Sequence, residues 1–250
     1  MEQLAAGARR LGIQLTPLQN FQFKVYSQEL LSWNRRMNLT AITAPEQVET
    51  KHFLDSLTVS LALGKESDSQ ANLGPIRVLD VGSGGGFPGL PLKIVFPELQ
   101  VSLLEATRKK AAFLKHINET LGLLDVEIIA ARAEDAAHDA RRRECYDVVV
   151  TRALAPMPAL AELTLPFCRV GGKVVAQKKG DIASELAQAQ ESLSALGGRF
   201  GRSILVSLPE LGEDRVLVVL DKIAATPLRY PRRAGLPQKH PLGLAGWRVS

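Results

Sequence analysis

Residues 78–93 read VLDVGSGGGFPGLPLK, and no other stretch narrows the folding options as far. An apolar run closes on Asp80 and Val81, four glycines fall between Gly82 and Gly86, and Phe87-Pro88-Gly89 leads into a second apolar run. Strand, glycine turn, helix is the ligand-binding crossover of an open α/β sheet, whose ligands sit outside the carboxyl ends of the strands. Glycine reaches positive φ without steric cost and leaves room for a ligand against the backbone. The dinucleotide pattern G-x-G-x-x-G begins at Gly82-Ser83-Gly84 but meets Phe87 where its third glycine belongs. The lysine of a P-loop is missing as well. The turn therefore suits an adenosine-bearing ligand without a pyrophosphate, with Phe87 offered to its apolar or sulfur-bearing parts.

The rest of the chain extends this crossover into a sheet. Strands are predicted at 77–82, 100–106, 126–132, 146–153, 172–179, 202–208 and 214–222. Helices are predicted between them at 89–96, 107–122, 133–142, 156–168 and 181–196. Such alternation means a mostly parallel sheet covered on both faces. The last two strands are joined only by PELGE and form an antiparallel hairpin. The expected fold is α/β and Rossmann-like, with seven strands. Ahead of it, residues 1–64 form a helical extension. Thr16-Pro17 starts one helix, with Leu18, Phe21, Val25, Leu30 and Leu31 at helical spacing. A second begins near Pro45 and carries Val48, His52, Leu54, Leu57 and Leu61. GKESDSQANLGP (64–75) is a linker by composition, which divides the chain into 1–64, 65–222 and a tail, 223–250.

Several classes drop out. Two cysteines, Cys145 and Cys168, make neither a disulfide framework nor a four-cysteine zinc site. The first also precedes a strand and the second ends a predicted helix, which is no setting for a nucleophile. No run of 18 apolar residues is present, and MEQLAAGARRLG is no secretory leader. The expectation is a cytoplasmic protein without a membrane partner. Its net charge is +5 and unevenly placed, because no acid follows Asp221. Lys222, Arg229, Arg232, Arg233, Lys239 and Arg248 fill that end, and Pro227, Pro231, Pro237 and Pro241 keep it from being a helix. A basic, extended tail can follow a phosphate backbone or simply be solvated.

Two acids point to a nucleoside. Glu105 closes the second strand, 23 residues after Gly82, where an acid takes ribose hydroxyls in sheets of this plan. Asp80 stands beside the glycine turn, placed to hold loop amides or to face a ligand's positive end. Ala133-Glu134-Asp135, after the third strand, can set amides and a carboxylate against an adenine.

The pattern Asp-x-Gly-x-Gly-x-Gly, an acid after the second strand and a terminal hairpin resemble the S-adenosylmethionine-dependent methyltransferases. NLTAI (38–42), KHFLDSL (51–57), DVGSGGGFPGLPLKI (80–94), RAE (132–134), TRALA (151–155) and GGKVVAQKKG (171–180) narrow the resemblance. They are similar to the small-subunit ribosomal RNA methyltransferase G family, also called glucose-inhibited division protein B. YPRRAGLPQKHPL (230–242) resembles an extension found in part of that family. The resemblance implies methylation of nitrogen 7 of one guanine in 16S rRNA near the decoding centre, with S-adenosylmethionine as methyl donor. It also implies a monomer that acts on the rRNA or the 30S particle and needs no metal. It places the cofactor at Gly82, Gly84, Phe87, Glu105, Ala106, Thr107, Ala133, Glu134 and Arg152. Arg152 could instead meet the guanine edge. RNA contacts are expected from Arg35, Arg36, His52, Lys178, Lys179, Arg232, Arg233 and Lys239, and positioning of the reacting base from Asn38 and Arg152.

The chemistry agrees. Guanine nitrogen 7 has a lone pair and no proton, so its methylation requires alignment rather than a base or a covalent intermediate. The chain lacks the Asn/Asp-Pro-Pro-Tyr/Phe motif of amine methylation and the cysteine motif of uracil methylation. Two rivals remain at this stage: a nicotinamide dehydrogenase, which Phe87 argues against, and a non-catalytic RNA-binding protein, which the intact glycine turn and Glu105 argue against.

Overall fold

The computed structural model describes residues 1–63 and 75–244. Most of the expected linker, and Arg248 in the tail, lie outside them. Seven strands form one sheet: β1 (Arg77–Val81), β2 (Gln100–Leu104), β3 (Val126–Ile129), β4 (Tyr146–Arg152), β5 (Cys168–Lys178), β6 (Gly198–Val206) and β7 (Arg215–Lys222). Their order is β3-β2-β1-β4-β5-β7-β6. The first five strands run parallel, while β7 inserts antiparallel between β5 and β6. The order reverses between β1 and β4, and a crevice opens at their carboxyl ends.

Period-two alternation sorts the strand residues into two cores. Val78, Val101, Leu103, Val148, Val150, Val175 and Val219 face one side. Leu79, Val81, Leu104, Val149, Val174, Val218 and Leu220 face the other. Helices α9 (Met157–Thr164) and α10 (Ala183–Ala195) cover the second side with Leu160, Ala161, Ala189 and Leu193. The first is covered by α6 (Gly89–Val95), α7 (Arg108–Leu121) and the N-terminal helices.

The N-terminal segment comprises α1 (Glu2–Arg10), α2 (Pro17–Met37), α3 (Pro45–Val48), a π-helical stretch (Glu49–Leu54), α4 (Asp55–Leu57) and α5 (Ser60–Leu63). Thr16 caps α2 as expected: the Gln19 amide donates to its Oγ1 at 3.2 Å, and its own amide donates to Gln19 Oε1 at 2.9 Å. The buried face of α2 differs in part from the expected one. Leu30 is buried as expected, but Leu18 and Phe21 are exposed, and Phe23 and Tyr26 face inward instead. The same helix seals its neighbours' ends. Gln19 Nε2 donates to the Ile94 and Val95 carbonyls that close α6, and Gln22 Nε2 donates to Leu121 O at the end of α7. Helix termini leave such carbonyls unpaired, so these two side chains join α2 to the sheet layer by hydrogen bonds as well as by packing.

Three other expectations change. The polar helix after β3 shrinks to α8 (Ala133–Ala136). Cys168 does not end a helix; it is the first residue of β5, where burial pushes its thiol up to about 12. The tail is not an extended arm. It contains a short helix, α11 (Leu236–Lys239), started by Pro237, and it is strapped to the body. Arg143 donates to the Thr226, Pro227 and Tyr230 carbonyls, and Arg232 pairs with Glu162, which is fully buried on α9.

Candidate methyl-donor pocket and substrate cleft

The turn after β1 is fastened from two sides. Gly82 and Ser83 donate their amides to Leu104 O at the end of β2. Gly84 donates to Glu105 Oε2 at 3.0 Å, and Thr107 donates to Glu105 Oε1 at 2.7 Å. Glu105, buried beside the turn, thus braces both the glycine loop and the segment after β2. Asp80 is wholly buried and accepts the Gly89 amide on Oδ2 at 2.9 Å, which places it as a holder of loop amides. Burial pushes its carboxyl up to about 7, and its Oδ1 has no partner.

The glycines divide into two kinds. Gly86, at φ 96°, lies against Tyr26 Oη and Leu90, so a side chain there would collide with the core. Gly84, at φ 56°, has open space before it, the nearest atom to an added Cβ being Gly82 O at 3.9 Å. Open space before a left-handed glycine, next to a carboxylate, fits a bound nucleoside. A pocket of about 120 Å³ lies at the start of the same turn, lined by Gly82, Ala106, Ala133, Glu134, Leu154 and Gln238, among others. The structure therefore brings Gly82, Ala106, Ala133 and Glu134 together, with Gly84, Glu105 and Thr107 joined to them through the Glu105 hydrogen bonds. Glu134 is committed on one side, because its Oε1 accepts the Gly235 amide at 2.7 Å. The tail thereby floors this pocket, a role the sequence did not reveal.

Phe87 departs from its expected part. Its ring is only 4% exposed, stacks on His52 with centroids 4.4 Å apart and on Tyr26 at 5.5 Å, and lies beneath the Arg152 guanidinium at 4.9 Å. It packs against protein and carries the His52–Arg152 pair. Arg152, at the end of β4, donates to His52 Nδ1 at 3.0 Å, to Lys51 O at 3.1 Å and to Asp55 Oδ2 at 3.1 Å. Because a guanidinium only donates, His52 Nδ1 accepts. The ring proton then sits on Nε2, which donates to Thr40 Oγ1 at 2.7 Å. Burial and the Arg152 charge push His52 down to about 3, so it stays neutral. Asp55 holds a second arginine, accepting from Arg215 Nε at 2.8 Å. The chain then turns sharply at Ala153, whose φ of 53° is unusual for a residue with a Cβ.

This cluster walls a cleft of about 370 Å³ whose lining includes His52, Asp55, Arg152, Gln177, Lys178 and Arg215. Ala153 lines the cleft and its neighbour Leu154 lines the smaller pocket, so the two cavities flank one turn of the chain. The expected RNA contacts scatter. Arg35 and Arg36 are exposed in the last turn of α2, and Arg233 and Lys239 are exposed on the tail. Lys179 makes a surface pair with Glu213 at 2.6 Å, an interaction a phosphate could readily exchange. Lys178 is engaged with Glu185 and the Ala155 carbonyl at the cleft's edge. Arg232 is engaged by its bidentate hold on Glu162 and by the His240 carbonyl rather than left free for a phosphate. Lys222, counted above with the tail, is buried at the end of β7, where its ammonium serves the Leu165 and Leu196 carbonyls and Glu144. Asn38 is exposed and left-handed at the end of α2, so its backbone ends that helix.

A sheet of this order, with a glycine turn and an acid at adjoining strand ends, defines the Rossmann-like methyltransferase class. Solved structures share the fold at low identity. The crystal structure of MtNAS in complex with MTA and tNA superposes with a TM-score of 0.54 at 16% identity, covering 81% of this chain and 70% of that one. The family model for rRNA small subunit methyltransferase G, GidB, matches residues 19–207. The ribosomal RNA small subunit methyltransferase G of Dehalococcoides mccartyi strain CBDB1 is 53% identical over 97% of this chain and all of its own length. Its namesake in Roseiflexus sp. strain RS-1 is 47% identical over the same shares. The chain therefore belongs to the rRNA small subunit methyltransferase G family, whose methyl donor is S-adenosylmethionine. Among the described residues no helix is long and apolar enough to cross a membrane.

Proposed function

We propose that this chain methylates nitrogen 7 of one guanine in 16S rRNA near the decoding centre. The observation that carries the reading is the pairing of two cavities: an open cradle at Gly84 and Glu105, and a cationic cleft behind Arg152. Bound in the cradle, S-adenosylmethionine supplies a sulfonium methyl group. Gly82, Gly84 and Ala133 leave room for the nucleoside, Glu105 takes its ribose hydroxyls, and Ala106 and Glu134 lie against the base. Arg152, fixed by His52, Asp55 and the Lys51 carbonyl, orients the guanine. A lone-pair nucleophile needs no base. His52 agrees with this, since both of its nitrogens are engaged and its proton affinity is low. The reaction is then a matter of alignment. Arg35, Arg36, Arg233, Lys239 and Lys179 are the exposed cations that would meet phosphates.

The test is to map methylated bases in 16S rRNA from a strain lacking the gene, and to repeat the mapping after treating its 30S particles with the purified chain and S-adenosylmethionine. One 7-methylguanine, absent from the deletion strain and restored by the enzyme, is expected. A restored methyl at any other atom would overturn the assignment to nitrogen 7.

A further inference from the structure

Most charged side chains of the cleft wall are already committed, and Lys51, which also lines it, can only donate. Asp55 uses its two carboxylate oxygens on Arg152 and Arg215, and His52 uses both ring nitrogens. Arg152, Arg215 and Lys178 can only donate. Gln177 is the exception. It is 5% exposed, and its Nε2 donates to Asp55 O at 2.7 Å and to Thr58 Oγ1 at 3.2 Å. A backbone carbonyl accepts and cannot donate, so the carboxamide cannot flip. Its Oε1 is therefore fixed on the other side, where it is buried without a hydrogen-bond partner. An orphaned acceptor is a standing cost to the fold that a ligand donor would remove.

We propose that Gln177 is a specificity-determining residue, its Oε1 accepting the N1–H of the target guanine. The inference rests on the nitrogen-7 reading above. In guanine, N7 and N1 lie on adjacent edges of the ring system with O6 between them. A base with N7 turned toward the Gly84 cradle presents its N1 edge sideways to that direction. Arg152 and Gln177 are register partners on β4 and β5, so Gln177 stands one strand further from β1. O6, beside N1, then falls among the cationic donors of the cleft. Adenine carries an unprotonated N1, which would set one acceptor against another. An ordinary glutamine could turn its amide to serve adenine; this one is held by Asp55 and Thr58.

The test uses 30S particles reconstituted with 16S rRNA carrying a single replacement at the target guanine. Inosine keeps N7, O6 and N1–H. 2-Aminopurine keeps N7 and loses the N1 proton and O6. The wild-type chain is expected to use inosine within about fivefold of guanine and to reject 2-aminopurine by about 100-fold or more in kcat/KM, as sites built on a hydrogen bond do. In Gln177→Met the preference for guanine over 2-aminopurine should shrink to about tenfold or less, with S-adenosylmethionine affinity unchanged. A merely structural role would lower both templates together and leave their ratio intact, which would overturn the proposal. So would a wild-type chain that rejects inosine as strongly as 2-aminopurine, a comparison that needs no variant. Absence of N7 transfer to unmodified guanine overturns the function as well as the role of Gln177; N7 transfer with an unchanged ratio overturns the role alone.

Discussion

Replacing Asp55 with asparagine tests the cluster that holds Arg152. The carboxylate is buried and bonds two guanidiniums, Arg215 Nε at 2.8 Å and Arg152 at 3.1 Å. Removing one partner of a buried ion pair costs about 3–5 kcal/mol, mostly because the remaining charge stays buried. Arg152 is 18% exposed and can turn toward water, whereas Arg215 at 2% cannot. Arg215 keeps a second carboxylate, Glu213 at 3.2 Å, and with Arg152 free to turn outward this places Asp55→Asn near the lower end, about 3 kcal/mol. For a chain of this size that lowers the melting temperature by roughly 6–12 °C. In urea the midpoint should fall with the slope unchanged. The double variant Asp55→Leu/Arg215→Met should recover most of the loss, since apolar replacement of a whole buried pair is commonly neutral or better. A loss below about 1 kcal/mol in Asp55→Asn, or a double variant less stable than the single one, would refute this account.

Gly84→Val should abolish S-adenosylmethionine binding in calorimetry while the chain stays folded, whereas Gly86→Ala, which meets Tyr26 and Leu90, should lower the melting temperature; near-normal affinity in Gly84→Val would remove the loop from the pocket. Glu105→Ala should cost about 1–3 kcal/mol of cofactor affinity, and an unchanged dissociation constant would confine Glu105 to bracing Gly84 and Thr107. His52, lowered from 6.5 to about 3, binds protons more readily in the unfolded chain, so its contribution to stability is lost as pH falls through that window. Asp80, raised from 3.8 to about 7, binds them more readily in the folded chain, so its contribution is lost as pH rises. The two slopes oppose each other from about pH 4 to 6.5, and His52→Gln should make stability decline with rising pH there by up to about 1.4 kcal/mol per unit more than in the wild type; parallel curves would count against it. On the tail, Arg233→Gln/Lys239→Gln should flatten the dependence of log RNA affinity on log salt by about 1.4–1.8. Arg232→Gln should instead lower the melting temperature, and a salt effect from Arg232 without one would contradict its commitment to Glu162.

Local pattern told most of the fold. Apolar runs and the glycine turn located all seven strands because each is a property of a few adjacent residues. Part of the buried face of α2 escaped: Leu30 is buried as expected, but Leu18 and Phe21 keep helical spacing as well as Phe23 and Tyr26 do, and packing against α6 and α7 chooses between them. The same division holds in the site. Gly82, Ala106, Ala133 and Glu134, expected together from the family resemblance, line one pocket, since each follows a strand end on the same rim of the sheet. Asp55, Arg215 and Gln177 were not legible, since their roles come from partners more than 100 positions away. Arg232 looked like a free cation for the same reason: Glu162 lies 70 residues before it.

The Asp55–Arg215 bond joins residues 160 positions apart. A growing chain lengthens by about 5–20 residues each second, so Arg215 is added roughly 10–30 s after Asp55. Until then the slot between β5 and β6 is empty, and the carboxylate beside Arg152 lacks its second guanidinium. The wall of the cleft is therefore completed only when β7, which carries Arg215, has been made and has entered the sheet between β5 and β6.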